Sequence, residues 1–235
     1  MHPLISFLRR SSRPATLTAA LLASASAFAD PSIVNGSFEG PVLAAPGKST
    51  GTITGWIKTF HGPIALVSGN IQDGNGDWYG VTPFGNQYVG LDPISTGFRA
   101  GVSQVLSDFV AGQTYALTLY VADSDGGKAP QLEVMFSDGG STVYLDTVYN
   151  VPLGGPYGDV IAFTELTTYF TAPVSGDIAL SLFNAGSAYI TTDPGSISID
   201  NVSISAVPEP STGASLLLGL GGLAGWVRRR RQRAA

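Results

Sequence analysis

The stretch TYALTLYVAD at 114–123 sets Tyr115, Leu117, Leu119 and Val121 at alternate positions. A two-residue alternation of this kind marks a strand with one face buried. Runs of the same type recur at 32–39, 55–60, 64–68, 86–91, 101–109, 132–137, 142–149, 163–172, 177–184 and 196–206. Turn signals stand between them, as in Ala-Gly-Gln at 111–113, Asp-Gly-Gly at 138–140 and Ser-Gly-Asp at 175–177. No stretch of twelve or more residues in this body carries a 3.6-residue period. Evenly spaced short strands close as a sandwich or jelly roll. The expectation is an all-β chain with a single jelly-roll β-sandwich over residues 30–206. No internal repeat and no linker interrupts it before Val207.

The two ends follow other rules. Arg9, Arg10 and Arg13 precede a small, apolar stretch at 15–25, and Ala27-Phe28-Ala29 has the pattern of a signal-peptidase site. Residues 1–29 are therefore expected to be a signal peptide, with the mature chain starting at Asp30. At the other end, Val207 to Pro210 form a proline-punctuated break. Residues 211–227 carry no charge, and Arg228, Arg229, Arg230, Arg231 and Arg233 follow. Seventeen helical residues rise about 25 Å, against a hydrocarbon core of about 30 Å. Residues 211–227 would thus make a marginal single-helix anchor, with the arginines on the cytoplasmic side.

Pro208, Glu209 and Pro210, the Gly/Leu-rich span and the arginine block occur in one order at 207–235. This tail resembles the PEP-CTERM sorting signal. The resemblance implies transient retention in the inner membrane and cutting by an exosortase near Pro208, Glu209 and Pro210. It also implies export to the cell surface or extracellular matrix and an association with exopolysaccharide.

Setting the ends aside changes the charge. Residues 30–207 hold Lys48, Lys58, Arg99 and Lys128 against sixteen Asp and Glu, a net charge of −12. Such a body repels nucleic acid and attracts divalent cations. The absence of cysteine rules out thiol chemistry and Cys-based metal sites. A body of this length buries enough surface to need no disulfides.

Three segments of the body look familiar together. IVNGSFEGP at 33–41 with Gly55-Trp56, the block GNQYVGLD…GVSQVLSDFVAGQTYALTLYVAD, and ISIDNVSIS at 197–205 stand in that order. They resemble galactose-binding-like jelly rolls, a group that includes family 4/9 type carbohydrate-binding modules. The stretch 122–165 carries no matching motif. In the resembled fold the first and last strands lie near each other, and a carboxylate on each helps to hold a structural calcium. Glu39 and Asp200 occupy those positions, so the resemblance implies calcium between them. On residue chemistry alone, Asp200 serves equally as a turn or edge residue. Phe38 and Trp56 are expected to pack in the core, and Gln104 to face it with Val102 and Leu106.

DGNGDWYG at 73–80 alternates oxygen donors with glycine. Asp73 and Asp77 are second candidates for calcium. The Glu of an EF-hand is missing, because Phe84 stands in its place. An Asx-rich turn is the alternative. Carbohydrate sites pair exposed aromatic faces with polar hydrogen-bonders. Trp78, Tyr79 and Tyr88 are the ligand-binding candidates, with capping of the sandwich end as their other use.

Enzyme signatures are missing: His61 is the one histidine of the body, and no nucleophile elbow or phosphate loop occurs. The expected function is therefore non-enzymatic carbohydrate binding by a calcium-stiffened surface module. Two alternatives stand beside it, a structural or adhesive protein without a defined ligand and a polysaccharide hydrolase using two of the sixteen carboxylates.

Overall fold

The computed structural model describes residues 30–59, 64–69, 82–92, 99–124, 130–153, 162–185 and 195–208. Residues 28–209 form one compact unit. The signal peptide, Glu209, Pro210 and the apolar tail expected from the sequence lie outside the described residues. Among the described residues, no helix is long and apolar enough to cross a membrane.

Eleven strands are described: β1 (Gly47–Ser49), β2 (Ile57–Thr59), β3 (Ile64–Ser68), β4 (Tyr88–Leu91), β5 (Ala100–Phe109), β6 (Thr114–Asp123), β7 (Gln131–Ser137), β8 (Val143–Asn150), β9 (Thr164–Thr171), β10 (Gly176–Asn184) and β11 (Ile197–Ala206). They form a six-stranded sheet, ordered β1-β3-β4-β11-β6-β9, and a five-stranded sheet, ordered β2-β5-β10-β7-β8. Every pairing is antiparallel. The all-β sandwich expected from the alternation is what the chain forms.

The alternation decides what meets in the middle. Tyr115, Leu117, Leu119 and Val121 of β6 are buried, as are Leu132, Val134 and Phe136 of β7 and Leu180 and Leu182 of β10. Aromatic rings tie the sheets together at one end. Phe136 of β7 stacks on Phe170 of β9 at 4.2 Å between centroids and 6° between planes. Phe109 meets both edge-on, at 6.4 and 5.9 Å, so the rings present opposite ends of their quadrupoles. Tyr115 closes the cluster at 4.9 Å from Phe109, and its hydroxyl accepts from Val110 N at 2.9 Å.

One expected strand is absent. Residues 34–37 form turns, and Asn35 and Phe38 both take positive φ, at 53°. Side chains hold this segment in place of a ladder. Asn35 Nδ2 donates to Gly40 O at 2.9 Å and Thr54 O at 3.0 Å, and its Oδ1 accepts from Gly40 N at 3.0 Å. Asn is among the few residues that tolerate this backbone region, because its amide bonds locally. The short strand β1, at 47–49, was not legible in the sequence: GKS has neither alternation nor branched side chains.

Candidate functional site

Two buried glutamines bring the N-terminal segment onto the sandwich. Gln104 Oε1 accepts from Val34 N at 2.8 Å, and its Nε2 donates to Val34 O at 3.0 Å and Gly55 O at 2.6 Å. Gln87 Nε2 donates to Phe38 O and Pro41 O, each at 2.9 Å, and its Oε1 accepts from Leu43 N. Phe38 and Trp56 are buried with ring centroids 5.2 Å apart, as expected of core partners. Glu39 is thereby carried to the loop 82–87. Its Oε1 accepts from Asn86 N at 2.7 Å and Gln87 N at 2.9 Å. Gly85 lies against the same oxygen at φ 130°, leaving no space there for a Cβ.

Asp200 sits across from this loop and is fully buried. Thr82 donates its hydroxyl to Asp200 Oδ2, and Asn201 N donates to Oδ1 at 2.6 Å. Burial pushes the Asp200 carboxyl up to about 7, and the neighbouring charge of Glu39 adds to the rise. The structure thus brings Glu39 into the electrostatic neighbourhood of Asp200, the placement that the resemblance to jelly rolls implies. Two carboxylates and a threonine hydroxyl are hard oxygen donors of the type calcium takes. Among the described residues no three of His, Cys, Asp and Glu gather. A cation here would draw its other oxygens from hydroxyls and backbone carbonyls. Asp73, Asp77, Trp78 and Tyr79 lie outside the described residues.

Tyr88 is not an exposed platform, and its expected role is corrected. It is fully buried, with Phe163 edge-on at 5.6 Å between centroids. Burial also pushes its phenol up from the ordinary value, against a hydrogen bond with Ser198. Tyr88 alternates with Val89 along β4, so it leaves the central core but is covered on the outer side. A ring shut in this way packs and cannot stack on a ligand. Phe84 pairs instead with Tyr120, at 4.1 Å between centroids.

The structure also assembles a group that sequence reasoning passed over. Leu132, Val134 and Phe136 point into the core, so alternation turns Gln131, Glu133 and Met135 to the outer face of the five-stranded sheet. Glu133 is nevertheless fully buried. Arg99 Nη1 donates to Glu133 Oε1 at 2.5 Å, with the Arg99 side chain 37% exposed. The guanidinium also lies over the Phe183 ring, at 5.8 Å from the centroid. Glu133 Oε2 is buried and has no hydrogen-bond partner. On the adjacent strand Met135 faces Asp146 and Glu133 faces Val148, so Asp146 is the diagonal neighbour of Glu133 on one face. Burial raises the Glu133 carboxyl to about 7, Arg99 opposes the rise, and Asp146 adds to it through its charge and through a hydrogen bond between the two carboxyls. A trace of this group is present in the sequence: a lone carboxylate inside LEVMFS, and Arg99 as one of four cations in the body.

Residues 206–231 match the PEP-CTERM protein-sorting motif, so the C-terminus carries a sorting signal. No curated protein matches the chain. Among solved structures, the apo form of a cyclase from Fischerella sp. is 21% identical, covering 78% of this chain and 98% of that one, with a TM-score of 0.55. A Stig cyclase from Fischerella sp. TAU, in complex with an indole compound, is 19% identical over 77% of this chain and 99% of that one, with a TM-score of 0.54. The xylan-binding domain CBM22-1 from Paenibacillus barcinonensis is 16% identical over 78% of this chain and 99% of that one, with a TM-score of 0.48. The cyclase likenesses are likenesses of fold.

Proposed function

We propose that this chain is an exported, non-enzymatic module that binds carbohydrate on the outer face of its five-stranded sheet. One observation carries the reading: behind the partly exposed Arg99, Glu133 holds a buried oxygen without a partner on a strand position that faces outward. Leaving a carboxylate oxygen dry and unpaired is costly, and a ligand rich in hydroxyl donors removes that cost. Arg99 and Phe183 supply a planar cation and a ring beside it, the mixture of apolar and polar surface that small-ligand sites use. The order of motifs at 33–41, 86–123 and 197–205 supports the same reading. Trp78 and Tyr79 remain proposed contacts from the loop at 73–80.

Calcium is proposed at Glu39 and Asp200, where it would neutralise two converging carboxylates and fix the loop 82–87 to the last strand. Asp73 and Asp77 are proposed as a second calcium position. The tail, with Pro208, Glu209 and Pro210, is proposed to hold the protein at the inner membrane until an exosortase releases it to the cell surface or matrix. Exopolysaccharide is then the nearest carbohydrate.

A glycan array probed with the full chain in calcium tests the binding. The expected result is at least one bound glycan class, weakened by Arg99→Ala. No signal above background for any glycan would overturn the reading in favour of a purely structural protein. Turnover of a polysaccharide, lost in Glu133→Gln, would overturn it in favour of a hydrolase.

A further inference from the structure

The charges around Glu133 narrow the ligand further, on the reading that this face binds carbohydrate. Two carboxylates, Glu133 and Asp146, stand on neighbouring strands of the face, and Arg99 answers only one oxygen of the pair. Glu133 Oε2 accepts nothing. The flanking positions of β10 offer no charge to it: Phe183 lies opposite Glu133 and Ser181 opposite Met135. The group that completes the site is therefore a donor, and with both carboxyls ionised one positive charge brings the local sum to zero.

The rest of the body selects in the same direction. Residues 30–207 carry a net −12. Uronate or sulfated polymers meet repulsion before any contact forms, whereas a polycation is drawn in. The geometry points to a protonated amino sugar, the ammonium of a partly deacetylated hexosamine polymer, donating to Glu133 Oε2 with Asp146 as the second counter-charge. Arg99 is the side chain that must swing to admit it, and its partial exposure leaves room for that movement.

Chitosan oligosaccharides and the same oligosaccharides fully N-acetylated separate this ligand class from carbohydrate binding in general. Both are titrated into the full chain, purified in detergent, at one pH and one salt concentration. The chitosan form is expected to bind about tenfold more tightly, the size of effect that one hydrogen bond to a charged group gives. Glu133→Gln is expected to abolish that preference. Asp146→Asn, at an exposed strand position that tolerates replacement, is expected to reduce it. Equal affinity for the two forms would overturn the amine inference and leave the carbohydrate reading standing. A preference that survives both substitutions would overturn the assignment to Glu133. Failure of every glycan on the array would remove both proposals together.

Discussion

At the scale of single residues, the molecule depends on polar side chains that stand in for missing backbone ladders. Gln104 makes two hydrogen bonds to Val34 of the turn segment and a third to Gly55. Replacing it with leucine keeps the volume and strands those backbone groups. Gln104→Leu is expected to cost about 3 kcal/mol in urea unfolding, near 1 kcal/mol per lost bond. A loss too small to measure would mean that the bonds of Asn35 and Gln87 and the packing of Phe38 and Trp56 hold the segment without Gln104. Glu133 makes a different prediction, because its carboxyl is raised to about 7. A carboxyl raised in the folded state favours the protonated form. Its stabilisation is complete below the ordinary glutamate range and is lost as pH rises through about 7. Arg99 and Asp146 are the charged groups facing it from the neighbouring elements, and β10 brings none. Thermal midpoints of the wild type are expected to fall from pH 5 to pH 8 by more than those of Glu133→Gln. Parallel curves for the two proteins would contradict this.

At the scale of elements, the loop 82–87 is the part most exposed to a single atom. Gly85 packs on the Glu39 carboxylate at a positive φ, so Gly85→Ala adds both a clash and backbone strain. The substitution is expected to displace Glu39 and to weaken calcium binding, measured by calorimetry, while the cores of both sheets stay intact by circular dichroism. Unchanged calcium affinity would separate Glu39 from any cation. The strands themselves were largely legible beforehand, because alternation is a property of the sequence that packing merely enforces. β6 shows it in its burial over Thr114–Val121, while β7 departs from it at the buried Glu133. The segment at 32–39 misled, because IVNGSF carries branched and aromatic residues in strand-like order. Two left-handed residues and a cage of side-chain hydrogen bonds override that propensity. Tyr88 misled for a related reason. Its outward direction was readable from alternation, but the outer face of the six-stranded sheet is covered at that point. The pairing of Glu39 with Asp200 followed from the resemblance to jelly rolls. The Arg99–Glu133–Asp146 group did not, since it depends on strands far apart in sequence lying side by side.

At the scale of the whole molecule, an acidic body between two apolar, basic ends sets the order of events. Deleting residues 208–235 removes the sorting motif and the arginine block. The truncated chain is expected in the soluble exported fraction, and the full chain with the membrane, when cell fractions are compared by immunoblot. Equal partitioning would show that the tail does not retain the protein. The calcium proposed at Glu39 and Asp200 belongs to this scale too, because it would join the N-terminal segment to the last strand. Calcium at about a hundredfold excess over its dissociation constant stabilises a folded protein by about 2.7 kcal/mol. Chelation is therefore expected to lower the thermal midpoint, and an unchanged midpoint would argue against any bound calcium.

Chemical-shift mapping of the chain during titration with a bound oligosaccharide tests the central claim most directly. The expected perturbations centre on Glu133 and Met135 of β7, Ser181 and Phe183 of β10, and Asp146 of β8. Perturbations confined to the opposite sheet, or none at saturating oligosaccharide, would contradict it.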